Sequence, residues 1–263
     1  LNTRHNFAAP RLSLRFIPVW RRNFLVWKKL AGSSILGNLA DPMLYMLGFG
    51  YGLGSLMPQV GGASYITFLA AGTVCYSTMN SATFEVLYSG FSRMHVQKTW
   101  DAILNAPLNL DDVMLAELTW GASKSLLSGV AILAVIWALG LQASWLLSLW
   151  VLPVVILIGL TFSAMGLVMT ALSPSYDFFM YYFTLVITPM VLLCGVFYPV
   201  DRLPDFLQIA SAFLPLSHAI DLVRPLILGD MPAHIAGHVA ALLAWGGVSY
   251  WLAVGFTRRR LLT

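Results

Sequence analysis

Six long apolar runs, at 33–56, 65–91, 110–141, 145–172, 178–197 and 234–256, alternate with short polar breaks along the chain. A run of 18 or more residues with few charges is long enough to cross the ~30 Å hydrocarbon core of a bilayer as a helix. The pattern therefore predicts an all-α integral membrane protein with six transmembrane helices. The first run is interrupted by Asp41-Pro42 and then carries Gly48, Gly50, Gly52 and Gly54 at alternate positions. Proline removes a backbone donor, and the glycines do not form one helical stripe, so this helix should kink and loosen, or pack closely, at its end. The third run is long enough to tilt or extend past the hydrocarbon.

The breaks differ in kind. The segment 92–107, from Ser92 to Pro107, is the longest charged interruption. A central Arg, Lys or Asp in a membrane helix costs about 2.5–3.5 kcal/mol each, so this island must project into water. It has the character of a handle that a separate, ATP-driven subunit can move. Before the first run, 11–29 reads as an amphipathic helix. Arg11, Arg15, Arg22 and Lys29 fall on one side and Phe16, Trp20, Phe24 and Trp27 on the other. A basic face opposite an aromatic face suits a helix lying in the membrane interface, and Pro18 should mark the start of its regular part. Residues 1–10 are polar and expected to lack regular structure. Between the fifth and sixth runs, 198–228 holds two apolar pieces too short to span, broken at Pro199, Pro204 and Pro215. Pieces of that length suggest a re-entrant hairpin.

Composition agrees with this reading. Of 263 residues, 59% are hydrophobic and 10% charged, against about 25% charged in soluble domains, and the mean hydropathy is +0.78. The length suits one compact membrane domain, 1–263, without a further soluble catalytic domain. Cys75 and Cys194 lie in apolar runs and read as small core residues. No cleavable signal peptide is expected, because an amphipathic segment stands where a short apolar core should be. Charge then sets orientation. Arg4, Arg11, Arg15, Arg21, Arg22, Lys28 and Lys29 precede the first run, Arg93 and Lys98 lie in the island, and Arg258, Arg259 and Arg260 close the chain. The opposite loops hold only Arg202 and Arg224. By the positive-inside rule both termini and the island are cytoplasmic. The basic residues trace a lipid membrane surface, not a nucleic-acid site.

Candidate chemistry is sparse. No phosphate-binding G-x-x-x-x-G-K-[ST] motif is present, and Gly121-Ala122-Ser123-Lys124-Ser125 lacks the glycine before the lysine. ATP and magnesium, if used, belong to another chain. Asp41, Glu85, Glu117 and Lys124 are ionisable residues inside apolar runs. Such residues usually face a bundle interior and pair. A proton relay, a structural ion-pair network and direct substrate contact all remain open. His234 and His238 are four apart, a spacing that suits a metal, but no third ligand is evident and no metal is expected. Ser217-His218 beside Asp221 lacks an oxyanion architecture, so no catalytic residue is assigned. Tyr45, Tyr51, Tyr76, Phe179 and Phe183 are the candidates for lining a path, with core packing as the alternative for each.

The island run Lys98-Thr99-Trp100-Asp101-Ala102-Ile103-Leu104-Asn105-Ala106-Pro107-Leu108, with Gly195-Val196-Phe197-Tyr198-Pro199 and Leu214-Pro215-Leu216-Ser217-His218, resembles permeases of the type-2 ABC transporter family. Leu69-Ala70-Ala71-Gly72 through Glu85, followed by Gln97 to Asp101, is most similar to the NodJ-type nodulation-factor export permeases, which move lipo-chitooligosaccharides. The resemblance implies a half-transporter. Two copies would form the path and two ATP-binding subunits would dock beneath. The island would supply a coupling helix, with Arg93, His95, Lys98, Trp100 and Asp101 as its ATPase-coupling residues. It also implies a bacterial inner-membrane location and an amphipathic glycolipid or oligosaccharide substrate. A multidrug or other small-molecule exporter permease, a proton- or ion-coupled carrier and a membrane anchor are the alternatives.

Overall fold

The basic, aromatic N-terminal stretch folds as α1 (Phe16–Lys28) in the computed structural model, which describes residues 7–57, 59–60 and 62–261. Arg4 and the rest of 1–6 lie outside the described residues. Arg21 and Lys28 of α1 are exposed, whereas Arg22, expected on the same basic side as Arg11, Arg15 and Lys29, is drawn inward beside the charges of the bundle, and the aromatic side packs on a neighbouring helix rather than only into lipid. Trp20 and Phe24 stack at 5.6 Å, and both meet the ring of Trp120. Pro18 sits in the first turn, where its missing N–H costs no hydrogen bond. Residues 7–10, expected to be irregular, are tied down. Trp251 Nε1 donates to the Phe7 carbonyl at 3.0 Å, and Arg258 donates to that of Ala8 at 2.7 Å.

Helix α2 (Ala31–Gly52) keeps Pro42 within it and tightens into a short 3₁₀ turn at Leu53–Ser55. Of the alternating glycines, Gly50 comes closest to a neighbour, the side chain of Ile66. A two-residue hairpin follows, β1 (Gln59–Val60) antiparallel to β2 (Ala63–Ser64). The Ser64 hydroxyl then accepts from the Thr67 N–H and caps α3 (Tyr65–Phe84). Helix α3 does not stop at Phe84. It continues through wide π-helical turns, Glu85–Gly90 and Ser92–Val96, and so carries Arg93 and His95 on the same rod. Lys98 breaks it with φ +48°, an uncommon left-handed conformation for a lysine, and α4 (Thr99–Leu104) starts in a new direction. Asn109 and Asp112 form a reciprocal capping box that opens α5 (Leu110–Ala138).

The remaining helices are α6 (Trp145–Leu149), α7 (Val151–Leu172), α8 (Phe178–Tyr182), α9 (Thr188–Leu193), α10 (Asp205–Phe213), α11 (Pro215–Leu228) and α12 (Ile235–Leu261). The core lies where α3, α5 and α7 meet, with α12 against α7 and α2 and α11 against α3. Small residues let the backbones approach. A Cβ on Gly121 would run into Ser163, and one on Gly159 would run into Ser125. Helices α10 and α11 meet at 88°, broken at Leu214-Pro215. Arg224 braces this corner: its Nη2 donates to the Gly195 carbonyl at 2.5 Å, and its guanidinium lies 3.8 Å from the centre of the Phe68 ring. Gly229, at φ +91°, ends α11 in the left-handed conformation that glycine adopts freely.

Among the described residues, three helices are long and apolar enough by themselves to cross a membrane, or four if the bent α10–α11 pair counts as one. That is fewer than the six expected from the apolar runs. The shortfall has a physical source. Helix α2 is diluted by Asp41, Pro42 and its glycines. Helix α3 carries hydroxyl groups and is buried on nearly every side, so it meets protein rather than lipid. The 178–193 stretch is short and is interrupted by π-helical turns.

Candidate functional site

The wide turns at the end of α3 bring Glu85 and Arg93 to the same side, facing α5. There Glu117 and Lys124, seven residues apart, complete a ladder of charges. Arg93 grips Glu117 with two donors, Nε to Oε1 at 2.9 Å and Nη2 to Oε2 at 2.5 Å. Its Nη2 also reaches Glu85 Oε1 at 3.0 Å. Lys124 Nζ takes the other Glu85 oxygen at 2.9 Å. Trp120 Nε1 donates to Glu85 at 2.8 Å, while Trp100 Nε1 and Asn23 Nδ2 both donate to Glu117 Oε1 at 3.3 Å. The Glu117 side chain is 1% exposed and that of Glu85 4%. Carboxylates buried that deeply persist as ions only when fully paired, and here every carboxylate oxygen has a partner. Glu117 is the knot: it joins α1 through Asn23, α3 through Arg93, α4 through Trp100 and its own α5.

This geometry divides the five island residues. Arg93 lies in the buried ladder, not on a free surface. Trp100 is buried, and its indole ties α4 to Glu117. Lys98 and Asp101 are exposed. His95 is half-buried, with its ring 4.5 Å from that of Phe91. Burial, then the nearby Arg260 charge, hold His95 below the ordinary histidine range, with Asp101 opposing them. Of the four ionisable residues expected within the bundle, Glu85, Glu117 and Lys124 come together, whereas Asp41 stands apart. It is exposed on α2 and accepts from the Tyr76 hydroxyl at 3.0 Å.

Asp41 borders a second feature, an aromatic groove of about 660 Å³ between α2, α3 and the 183–197 stretch. Three of the path candidates, Tyr45, Tyr76 and Phe183, line it together with Phe197. Tyr51 does not reach it and is 66% exposed, and Phe179 is fully buried in a cluster with Tyr88, Phe91 and Tyr176. The histidines also regroup. His238 pairs with His218, Nδ1 to Nδ1 at 3.0 Å, and not with His234. Among the described residues no three His, Cys, Asp or Glu side chains could hold a metal.

Several participants escape a sequence reading. Asn23 and Trp120 look like ordinary members of their helices. Asp111 and Asp112, at the start of α5, hold the N-terminal segment and the chain's end together. Arg258 Nη2 meets Asp111 at 2.5 Å, the Arg11 N–H donates to Asp111 at 2.8 Å, and the Ser13 hydroxyl bonds Asp112. Their signal was an acidic pair beside the island on a chain with basic ends.

A profile of the ABC-2 type transporter family matches residues 15–228. The chain belongs to this ABC-2 type transporter family. Among its relatives, "Nodulation protein J" of Rhizobium leguminosarum bv. trifolii is 49% identical over 255 residues, covering 97% of each chain. The protein of the same name from Rhizobium meliloti (strain 1021) is 46% identical with the same coverage. "Inner membrane transport permease YadH" of Escherichia coli (strain K12) is 26% identical over 218 residues, covering 81% of this chain and 84% of that one. The chain is thus an ABC-2 permease of the NodJ type, a helical multi-pass membrane protein. Its family places it in ABC transporters, whose ATP-binding partner subunit is a separate component.

Proposed function

We propose that this ABC-2 permease is the membrane subunit of an ATP-driven exporter that moves an amphipathic glycolipid or oligosaccharide, resembling a lipo-oligosaccharide nodulation factor, out of the cytoplasm. Two copies form the path and two ATP-binding subunits, which hold the ATP and magnesium, dock beneath. The chain crosses the bacterial inner membrane six times, with both termini and 92–107 in the cytoplasm and 198–228 re-entering from outside. The observation that carries this reading is α4. It is a short helix with exposed Lys98 and Asp101 at its start, anchored by Trp100 to the buried Glu117. A push on such a helix would be passed to α1, α3 and α5 at once. The full-length likeness to the Nodulation protein J relatives supports the substrate class. The positive flanks support the orientation. A proton-coupled carrier is less favoured, because Glu85 and Glu117 already have partners at every oxygen.

The test is charge reversal at the exposed positions, Lys98→Glu with Asp101→Lys. The variant should insert normally and show lower substrate-stimulated ATPase activity with its copurified partner. Unchanged activity removes α4 from coupling. If a tagged chain never retains an ATP-binding protein and export survives ATP depletion, the exporter reading fails. Stimulation by unrelated drugs but not by glycolipids would make it a small-molecule exporter instead.

A further inference from the structure

The charge ladder forms one wall of a cavity of about 660 Å³, distinct from the aromatic groove, enclosed by α1, the start of α2, the end of α3 and α5. Its charges do not balance. One carboxylate, Glu85, and three cations, Arg22, Arg93 and Lys124, line it, and even with Glu117, which lies behind Arg93, the cations outnumber the carboxylates. Arg93 and Lys124 are consumed by the ladder. Arg22 has no ion pair among the described residues, and its Nη1 donates to the neutral Asn23 amide oxygen at 3.2 Å. Burial, and then the adjacent Arg93 charge, lower its proton affinity, with Glu117 opposing them. The other walls are greasy. Trp27 and Trp120 meet at 6.1 Å, and Val26 and Leu30 at the rim are 54% and 65% exposed. A surplus guanidinium inside and exposed aliphatic side chains at the mouth ask for a ligand with an anionic head and an apolar tail.

We infer that this cavity binds a phosphate-type anion carried on an amphipathic molecule, with Arg22 as the residue that holds it and the tail leaving past Val26 and Leu30. The planar fork of a guanidinium matches two phosphate oxygens, and the indoles of Trp27 and Trp120, packed edge to face, line the wall beside it. The inference rests on the proposed function only for placing the cavity at the cytoplasmic leaflet. Anion binding itself requires neither ATP nor export.

Titration of the full chain in neutral detergent tests it, with calorimetry as the readout. The probes are dihexanoyl phosphatidic acid, dihexanoyl phosphatidylcholine and inorganic phosphate. Phosphatidic acid should bind saturably, and Arg22→Gln should weaken that binding by about tenfold or more, as expected for a lost charge-assisted hydrogen bond. Arg22→Lys should retain part of it. Lys28→Gln, which removes the same charge from the exposed side of α1, should leave it unchanged. Much weaker binding of inorganic phosphate supports the inference, whereas equal affinity for it would leave the apolar tail without a role and overturn the amphipathic ligand. An equal loss in Lys28→Gln means diffuse surface attraction and overturns the inference. So does phosphatidylcholine binding as tightly as phosphatidic acid, or no saturable binding at all. Absence of ATP-dependent export by the unaltered chain, with lipid binding intact, would count against the exporter reading alone.

Discussion

Glu117 and Asp41 are both carboxylates on helices of the bundle, and the fold surrounds them in opposite ways. Glu117 is buried, gripped by Arg93 and capped by two further N–H donors from two other helices. Asp41 is exposed at the edge of an aromatic groove and is held by a single tyrosine hydroxyl. The first site is closed: nothing can be added to it without breaking what is there. The second is open, and its carboxylate retains acceptor capacity for a substrate hydroxyl or a group from a second copy. The contrast separates a charge that fixes helix positions from one free to meet something that moves, although both look the same in a sequence as lone acids in apolar runs.

The largest effect should come from opening the closed site. Glu117→Ala leaves Arg93 buried with only Glu85, which Lys124 also claims. Breaking a buried pair by deleting one partner costs about 3–5 kcal/mol. Thermal unfolding of the detergent-solubilised chain should fall by roughly 6–12 °C, taking the lower figure and the usual conversion for a chain of this size. Removing both charges, Arg93→Met with Glu117→Leu, should recover much of that loss, because neither ion is then stranded. A double variant no better than the single one would mean that Glu117 acts through Trp100 and Asn23 rather than as the counter-ion of Arg93.

Asp41→Asn is the opposite experiment and should be smaller in stability. The amide oxygen can still accept from Tyr76, and an exposed hydrogen bond contributes only about 0.5–1.5 kcal/mol. Unfolding should therefore move little while substrate-stimulated ATPase activity or export falls several-fold. If Asp41→Asn destabilises the chain as much as Glu117→Ala, the open groove is a structural seam and the contrast collapses.

The exposed part of the island was legible because membrane energetics leave unpaired charges such as Lys98 and Asp101 no other place, and that argument needs only local sequence. The island's internal division was not. Arg93 is drawn into the bundle by Glu117, 24 residues away, and the wide turns that aim it there have no sequence signature in this chain. Grouping Asp41 with Glu85, Glu117 and Lys124 failed for the same reason, since residue type shows that a buried charge needs a partner but not which helix supplies it. The Asp111–Arg258 clasp joins residues 147 apart, beyond any periodic pattern. The resemblance to ABC-2 permeases could single out 92–107, but only the packing shows that its Trp100 points inward and its Lys98 and Asp101 remain outside.

The smallest effect concerns His95, at the margin of the closed site. Its ring packs on Phe91, and its buried Nε2 has no hydrogen-bond partner among the described residues. Burial and Arg260 lower its proton affinity in the folded chain relative to the unfolded one. The folded state therefore binds this proton less well, and the stability linked to it is present above the ordinary histidine range, about 6.5. It is lost as pH falls through that value toward the lower folded one. Unfolding temperature should drop slightly between pH 7.5 and 5.5, and the His95→Gln chain should show a flatter profile over that interval. Asp101 opposes the shift, so Asp101→Asn should steepen the wild-type dependence. A profile unchanged by His95→Gln would mean that another group carries the acid sensitivity, and would leave the closed site without a proton of its own.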